Sequence, residues 1–149
     1  MIERNSEKIG PTREGVMWLI FRNGRVLLEE RNKQDKSYYG YTIVPGGKLE
    51  DGEEVLECLE REIKEEHGVI PTKCEFLDTF ESIIPGGNHY KIHAFLILDF
   101  EGEIVNNEPE KTNLKFVRLE HAQKVLKFGT SKYVLLMAKQ FIEEERCKD

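Results

Sequence analysis

The chain has few of the features that mark a secreted, membrane or fibrous protein. Its 149 residues hold three cysteines, Cys58, Cys74 and Cys147, scattered with no CxxC pair. That excludes a disulfide framework and a zinc ribbon, and reduced thiols in a cytoplasm are the expectation. No run of 18 apolar residues exists, so no membrane-spanning helix is expected. The opening stretch MIERNSEKIG lacks the apolar core of a signal peptide and reads as a flexible or edge segment over 1–12. Positive charge is in deficit: the formal net charge is −6. This argues against binding a nucleic acid polymer or an anionic membrane, though not against a small anion reached through a metal ion. There is no repeat and no low-complexity stretch, and the length suits a single domain over 1–149.

What the chain has in excess is glutamate, crowded into one segment. Residues 47–69 read GKLEDGEEVLECLEREIKEEHGV. Asp51 reads as a helix N-cap with Glu54 completing a capping box, and the helix is expected over Glu53 to His67. Gly68 stands where a left-handed residue ends it. At about 100° per residue, Leu56, Leu59 and Ile63 form the buried stripe, with Val55 at its edge. Glu62, Glu65 and Glu66 then share an arc of roughly 100° beside that stripe. Arg61 lies four residues before Glu65 and can pair with it. An ordinary solvated acidic helix would account for any one of these glutamates. It accounts poorly for Glu62 and Glu66, a like-charge i,i+4 pair close to the apolar seam. A divalent cation is the simplest counter-charge, and a metal held this way suggests phosphate chemistry.

Elsewhere, Val16–Phe21 and Arg25–Arg31 read as strands joined by an Asn23-Gly24 hairpin turn. Residues 32–40 form a polar loop, and Tyr41–Val44 a short strand leading to Pro45-Gly46-Gly47. Lys73–Ile84 and Tyr90–Phe100 flank Pro85-Gly86-Gly87-Asn88. A polar loop precedes a strand at Leu114–Leu119, a short helix spans Glu120–Leu126, and a last helix, Ser131–Glu145, buries Val134, Leu135, Ala138, Phe141 and Ile142. Strands on both sides of one helix, closed by another, indicate an α/β (α+β) fold.

The acidic segment matches the Nudix box in full: Gly47, Glu53, Arg61, Glu62, Ile63, Glu65, Glu66, Gly68 and Val69 stand at its spacing. A chance match at a given start is below roughly one in 10⁸ on average residue frequencies. Pro45-Gly46-Gly47 ahead of it resembles the MutT-like branch. The resemblance implies an α/β/α sandwich with a mixed central sheet. It implies hydrolysis of a nucleoside diphosphate linked to another moiety, with Mg²⁺, or Mn²⁺ in its place, as cofactor. It assigns Glu62, Glu65 and Glu66 as metal ligands, with a backbone carbonyl from Gly46 or Gly47. Glu53 becomes an orienting carboxylate; Arg61 and Gly68 become structural.

Other roles stay open. Glu108 and Glu110, in the EPEK loop 108–111, are candidates for a general base, with Glu110 also against substrate; solvated loop charges are the plain alternative. Tyr38, Tyr39 and Tyr41 can stack on a base or pack on their own domain. Arg31 and Lys36 can meet phosphates or solvent. His89 and His93, four apart on a strand, are roughly 13 Å apart and too far to share a metal. Trp18, His67 and His121 read as structural. The substrate reading favours a (deoxy)nucleoside triphosphate, oxidised forms included, cleaved to monophosphate and pyrophosphate. ADP-ribose or a nucleotide sugar is the alternative, since Pro85 lies sixteen residues after Val69, and a non-catalytic nucleotide sensor is a third. The chain is expected as a monomer or homodimer.

Overall fold

The computed structural model describes residues 13–32, 40–83 and 88–148. The expected positions Lys36, Tyr38, Tyr39 and Pro85-Gly86-Gly87, and the segment 1–12, lie outside these residues.

The fold is organised by β1 (Arg13–Arg22). Val16 to Ile20 are all buried, and a continuous apolar run of this kind must be covered on both faces. Alternation sends Val16, Trp18 and Ile20 to one side and Met17 and Leu19 to the other. Asn23 and Gly24 both take positive φ, 55° and 75°, the geometry of the tight hairpin turn that leads into β2 (Arg25–Arg31). The short β3 (Thr42–Ile43) pairs with β2.

The glycines that follow Pro45 open a short strand, β4 (Gly46–Lys48), antiparallel to the start of β1. After α1 (Val55–His67) come β5 (Ile70–Ile83), β6 (His89–Glu101) and β7 (Thr112–Arg118), and then α2 (Leu119–Val125) and α3 (Gly129–Cys147). The sheet has seven strands along the path β3-β2-β1-β6-β5, with β4 added to β1 and β7 to β2. It is mixed, because β1 and β6 run parallel while the other pairs are antiparallel.

Two cores fill the two faces. Met17, Leu19, Leu28 and Leu96 pack under α2 and α3, against Val134, Leu135, Ala138 and Ile142. Phe141 is only partly buried at the margin of this core. Val16, Trp18, Ile20 and Ile97 pack under α1, against Cys58, Leu59 and Ile63. This is the α/β/α sandwich that the acidic segment's resemblance implies. None of the described helices is long and apolar enough to cross a membrane.

Two expectations for α1 are corrected. The N-cap is Glu54, not Asp51, and its own N–H donates to Glu57, three residues on, at 2.9 Å. Residues 50–53 form a preceding turn instead, in which Glu53 N–H donates to the Glu50 carbonyl at 2.9 Å and Glu53 Oε1 accepts from Glu50 N–H at 3.0 Å. The other correction concerns Leu56, which is 63% exposed. The buried face is carried by Cys58, Leu59, Ile63 and His67, so it is rotated away from Leu56 toward the flank that carries Glu62 and Glu66. That rotation pushes the two carboxylates part-way into the protein.

Candidate active site

Arg61 organises the acidic flank. Its Nε and Nη2 donate to the two carboxylate oxygens of Glu53 at 2.7 and 2.9 Å, a bidentate pair. Nη1 donates to Glu62 at 3.1 Å and to Glu65 at 3.3 Å, and Nη2 also reaches the Lys48 carbonyl at 3.1 Å. The i,i+4 contact with Glu65 therefore exists, but Glu53 is the stronger partner. The guanidinium beside it holds the Glu53 carboxyl down to about 2. The same carboxylate pushes Arg61 further up, so the pair is ionised across any working pH.

Glu66 is different. Burial pushes its carboxyl well up, and the neighbouring charges of Glu29, Glu62 and Glu108 add to the shift. Burial also raises Glu62, with Arg61 pulling the other way. Glu66 lies within hydrogen-bond reach of both Glu29 and Glu62. Glu65 is the outermost of the three box glutamates, its side chain 57% exposed.

Glu29, on β2, is a site residue that the sequence reading missed. It is 2% exposed and accepts a hydrogen bond from Arg31 Nη1 at 3.0 Å. It follows Leu27 and Leu28 and reads locally as the polar end of a strand. Its burial comes from the tertiary fold and not from the local strand pattern.

The glycine segment is fixed by the β4–β1 ladder. Trp18 N–H donates to the Pro45 carbonyl and Leu49 N–H donates to the Glu14 carbonyl, both at 3.1 Å. In an antiparallel ladder the intervening residues face away, so Gly47 is tied to β1 while the carbonyls of Gly46 and Lys48 turn outward. The bond from Arg61 to Lys48 O agrees. Of the two glycines expected to offer a carbonyl, Gly46 has it free of β1. Gly47 serves space instead: a Cβ there would run into the Glu62 carboxylate.

The loop after β6 is pinned to the end of α1. Val105 and Asn107 N–H groups donate to the carbonyls of His67 and Glu66, and the Asn107 side chain to that of Glu65. These bonds satisfy carbonyls that a helix end leaves without partners. Gly68 ends the helix with φ 73°, and a Cβ there would meet Val105 Cγ2 at 2.8 Å. Glu108 is thereby brought close enough to raise Glu66, whereas Glu110 is exposed at the turn. The structure brings Glu108, not Glu110, to the cluster.

Beneath Gly46 and Gly47 lies a cavity of about 240 Å³. Met17, Val44, Tyr90 and Ile92 give it an apolar wall, and Glu29 and Arg31 a charged one. Ser131 closes it from α3 by accepting from Val44 N–H at 3.0 Å. Tyr41 is not part of it: the ring packs edge-on against Phe128, with centroids 4.9 Å apart. His89 and His93 pair separately, with Glu81 at 3.3 Å and Glu14 at 2.7 Å. Trp18 Nε1 donates to His67 Nε2 at 3.0 Å inside the core.

As a metal site, the arrangement has the right donors. Carboxylates and an outward carbonyl are hard oxygen ligands suited to Mg²⁺ or Mn²⁺. The positive charge of Arg61 is already shared among Glu53, Glu62 and Glu65, and the largest influences on Glu66 are burial and the carboxylates of Glu29, Glu62 and Glu108. Among the described residues no three acidic, histidine or cysteine side chains are yet drawn around one point. Glu62 is turned to Arg61, so ligation requires its carboxylate to swing.

The NUDIX domain family profile matches residues 11–138. The chain is 36% identical over 69 residues to an 8-oxo-dGTP diphosphatase of Proteus vulgaris, covering 46% of this chain and 61% of that protein. It is 30% identical over 107 residues to an ADP-ribose pyrophosphatase of Methanocaldococcus jannaschii, covering 72% of this chain and 62% of that protein. The matches thus span a little over three fifths of either relative. The fold superimposes on a MutT NUDIX hydrolase from Burkholderia pseudomallei with a TM-score of 0.74 at 28% identity, covering 84% of this chain and 96% of that one. The chain belongs to the NUDIX domain family.

Proposed function

We propose that this chain is a metal-dependent hydrolase of a phosphoanhydride bond in a nucleotide. The observation that carries the reading is the crowding of buried Glu29 with half-buried Glu62 and Glu66, the last raised by burial and by its carboxylate neighbours, on the same side of the fold as Gly46. Glu62, Glu65 and Glu66, with the carbonyl of Gly46, would hold Mg²⁺, with Mn²⁺ as substitute. When bound, the ion neutralises and orients the phosphates and makes water a better nucleophile. Arg61 positions Glu62 and Glu65 while fixing Glu53, which acts through it as a positioning residue. Glu108, half-buried next to Glu66, is the better placed of the two loop glutamates to take a proton from water.

The cavity beside Gly46 is small for a whole ligand, since ligand sites commonly hold roughly 300–1,000 Å³. It suits one flat end of a substrate whose phosphates lie out over α1, with Arg31 between the two. The favoured substrate is a (deoxy)nucleoside triphosphate, cleaved to monophosphate and pyrophosphate; the name of the Proteus vulgaris relative supports this. ADP-ribose is the second reading, supported by the name of the Methanocaldococcus jannaschii relative. We take the chain to act as one domain on a small nucleotide, without a nucleic acid polymer or a membrane. The test is a panel of nucleotides with Mg²⁺. Pyrophosphate released from dNTPs supports the first reading and AMP from ADP-ribose the second. Absence of turnover across the panel would leave a nucleotide-binding module and overturn both.

A further inference from the structure

We propose that Tyr90, on β6, is a specificity-determining residue: its buried hydroxyl hydrogen-bonds the polar edge of a flat ring seated in the cavity beside Gly46. The inference rests on the hydrolase reading above and deepens it, by naming a group that selects among nucleotides.

Three observations carry it. Tyr90 is 3% exposed, and its hydroxyl is buried with no hydrogen-bond partner among the described residues. The residue sits inside the sheet, paired with Arg13 of β1 on one side and Ser82 of β5 on the other. Its side chain shares the α3 face of the sheet with Met17 and Ile92, and all three line the cavity of about 240 Å³. A buried hydroxyl left unpaired is a net cost, because the water it gave up on folding is not replaced. Phenylalanine would fill the same place without that cost. The hydroxyl is accounted for when its partner arrives with a ligand. A phenol both donates and accepts, so a ring nitrogen, a carbonyl or an amino group of a base can meet it. A flat ring suits the apolar walls of Met17, Val44 and Ile92; a phosphate does not, with the carboxylate of Glu29 beside them.

The competing account is that a trapped water satisfies the hydroxyl and the ring only packs. Tyr90→Phe separates the two, since it removes the hydroxyl and keeps the ring. Its steady-state kinetics with Mg²⁺ are compared with wild type over the nucleotide panel, beside melting curves of both proteins free of nucleotide. We expect the KM of Y90F for the panel's best substrate to rise by about tenfold, with kcat within about threefold, so that its preference among bases flattens. Without nucleotide Y90F should melt no lower than wild type, because the lost hydroxyl had no partner in the fold. In wild type labelled at the tyrosine ¹³Cζ, adding that nucleotide without metal should shift the signal that Y90F lacks, a readout independent of the variant's activity. An unchanged KM for every nucleotide, with no shift of that signal, would overturn the proposal while leaving the hydrolase reading intact. A Y90F protein that melts well below wild type would also overturn it, by showing that the hydroxyl is bonded within the fold. Absence of turnover by wild type would overturn both readings.

Discussion

Replacing Glu66 by glutamine tests the charge imbalance directly. The unfolded chain titrates Glu66 near the ordinary value of 4.5, while burial and the charge of Glu29 keep its proton on in the folded, metal-free protein. A carboxyl whose folded pKa is raised contributes stability that is complete below the unfolded pKa and is lost as pH rises. From 4.5 to 7 the loss is about 1.4 kcal/mol per unit, hence a ceiling of about 3.4 kcal/mol at pH 7, however far the folded value is raised. Glu66 is half-buried, so water reduces this and about 1–3 kcal/mol is expected. E66Q carries an N–H where the wild type carries the retained proton, and it does not titrate. In chelator at pH 7 it should therefore melt higher by roughly 2–12 °C, given about 2–4 °C per kcal/mol for a chain of this size. The difference should vanish near pH 4. Mg²⁺ should raise the melting temperature of wild type and not of E66Q, and turnover of E66Q should fall by orders of magnitude. Calorimetric scans at pH 4 and 7, with chelator and with Mg²⁺, read all of this. An E66Q protein less stable than wild type in chelator at pH 7, or equally stabilised at both pH values, would refute the reasoning.

Arg61→Ala removes the bidentate partner of Glu53, whose side chain is 12% exposed, and should cost about 3 kcal/mol in urea unfolding, with Arg61→Lys in between. Gly47→Ala sets a methyl against the Glu62 carboxylate; about 1–3 kcal/mol of strain and a loss of activity near a hundredfold are expected from melting curves and steady-state kinetics. His67 is held neutral, its pKa lowered by burial from 6.5 to about 4. The unfolded chain therefore binds the extra proton first, and stability falls as pH drops from 6.5 toward 4, by at most about 3 kcal/mol. Because Glu66 acts with the opposite sign over the same range, the slope is read as the difference between wild type and His67→Gln in denaturant titrations, which should grow in favour of the variant as pH drops from 6.5 toward 4.

The sequence by itself determined whatever depends on near neighbours. The Asn23-Gly24 turn, the helix ended by Gly68 and the grouping of Glu62, Glu65 and Glu66 on one arc follow from backbone preference and a period of 3.6 residues. Tertiary structure alone decided the rest. It turned the buried face of α1 away from Leu56, because the sheet beneath the helix, and not the helix itself, chooses which stripe it covers. It brought Glu108 rather than Glu110 to Glu66, through bonds from Val105 and Asn107 to the end of α1. It freed the carbonyl of Gly46 and tied Gly47 to β1, since ladder alternation needs the register of the partner strand. It also delivered Glu29 to Glu66 from a strand more than thirty residues earlier. No local pattern carries that meeting, because it depends on where β2 lies in the sheet and on how far α1 rolls over it.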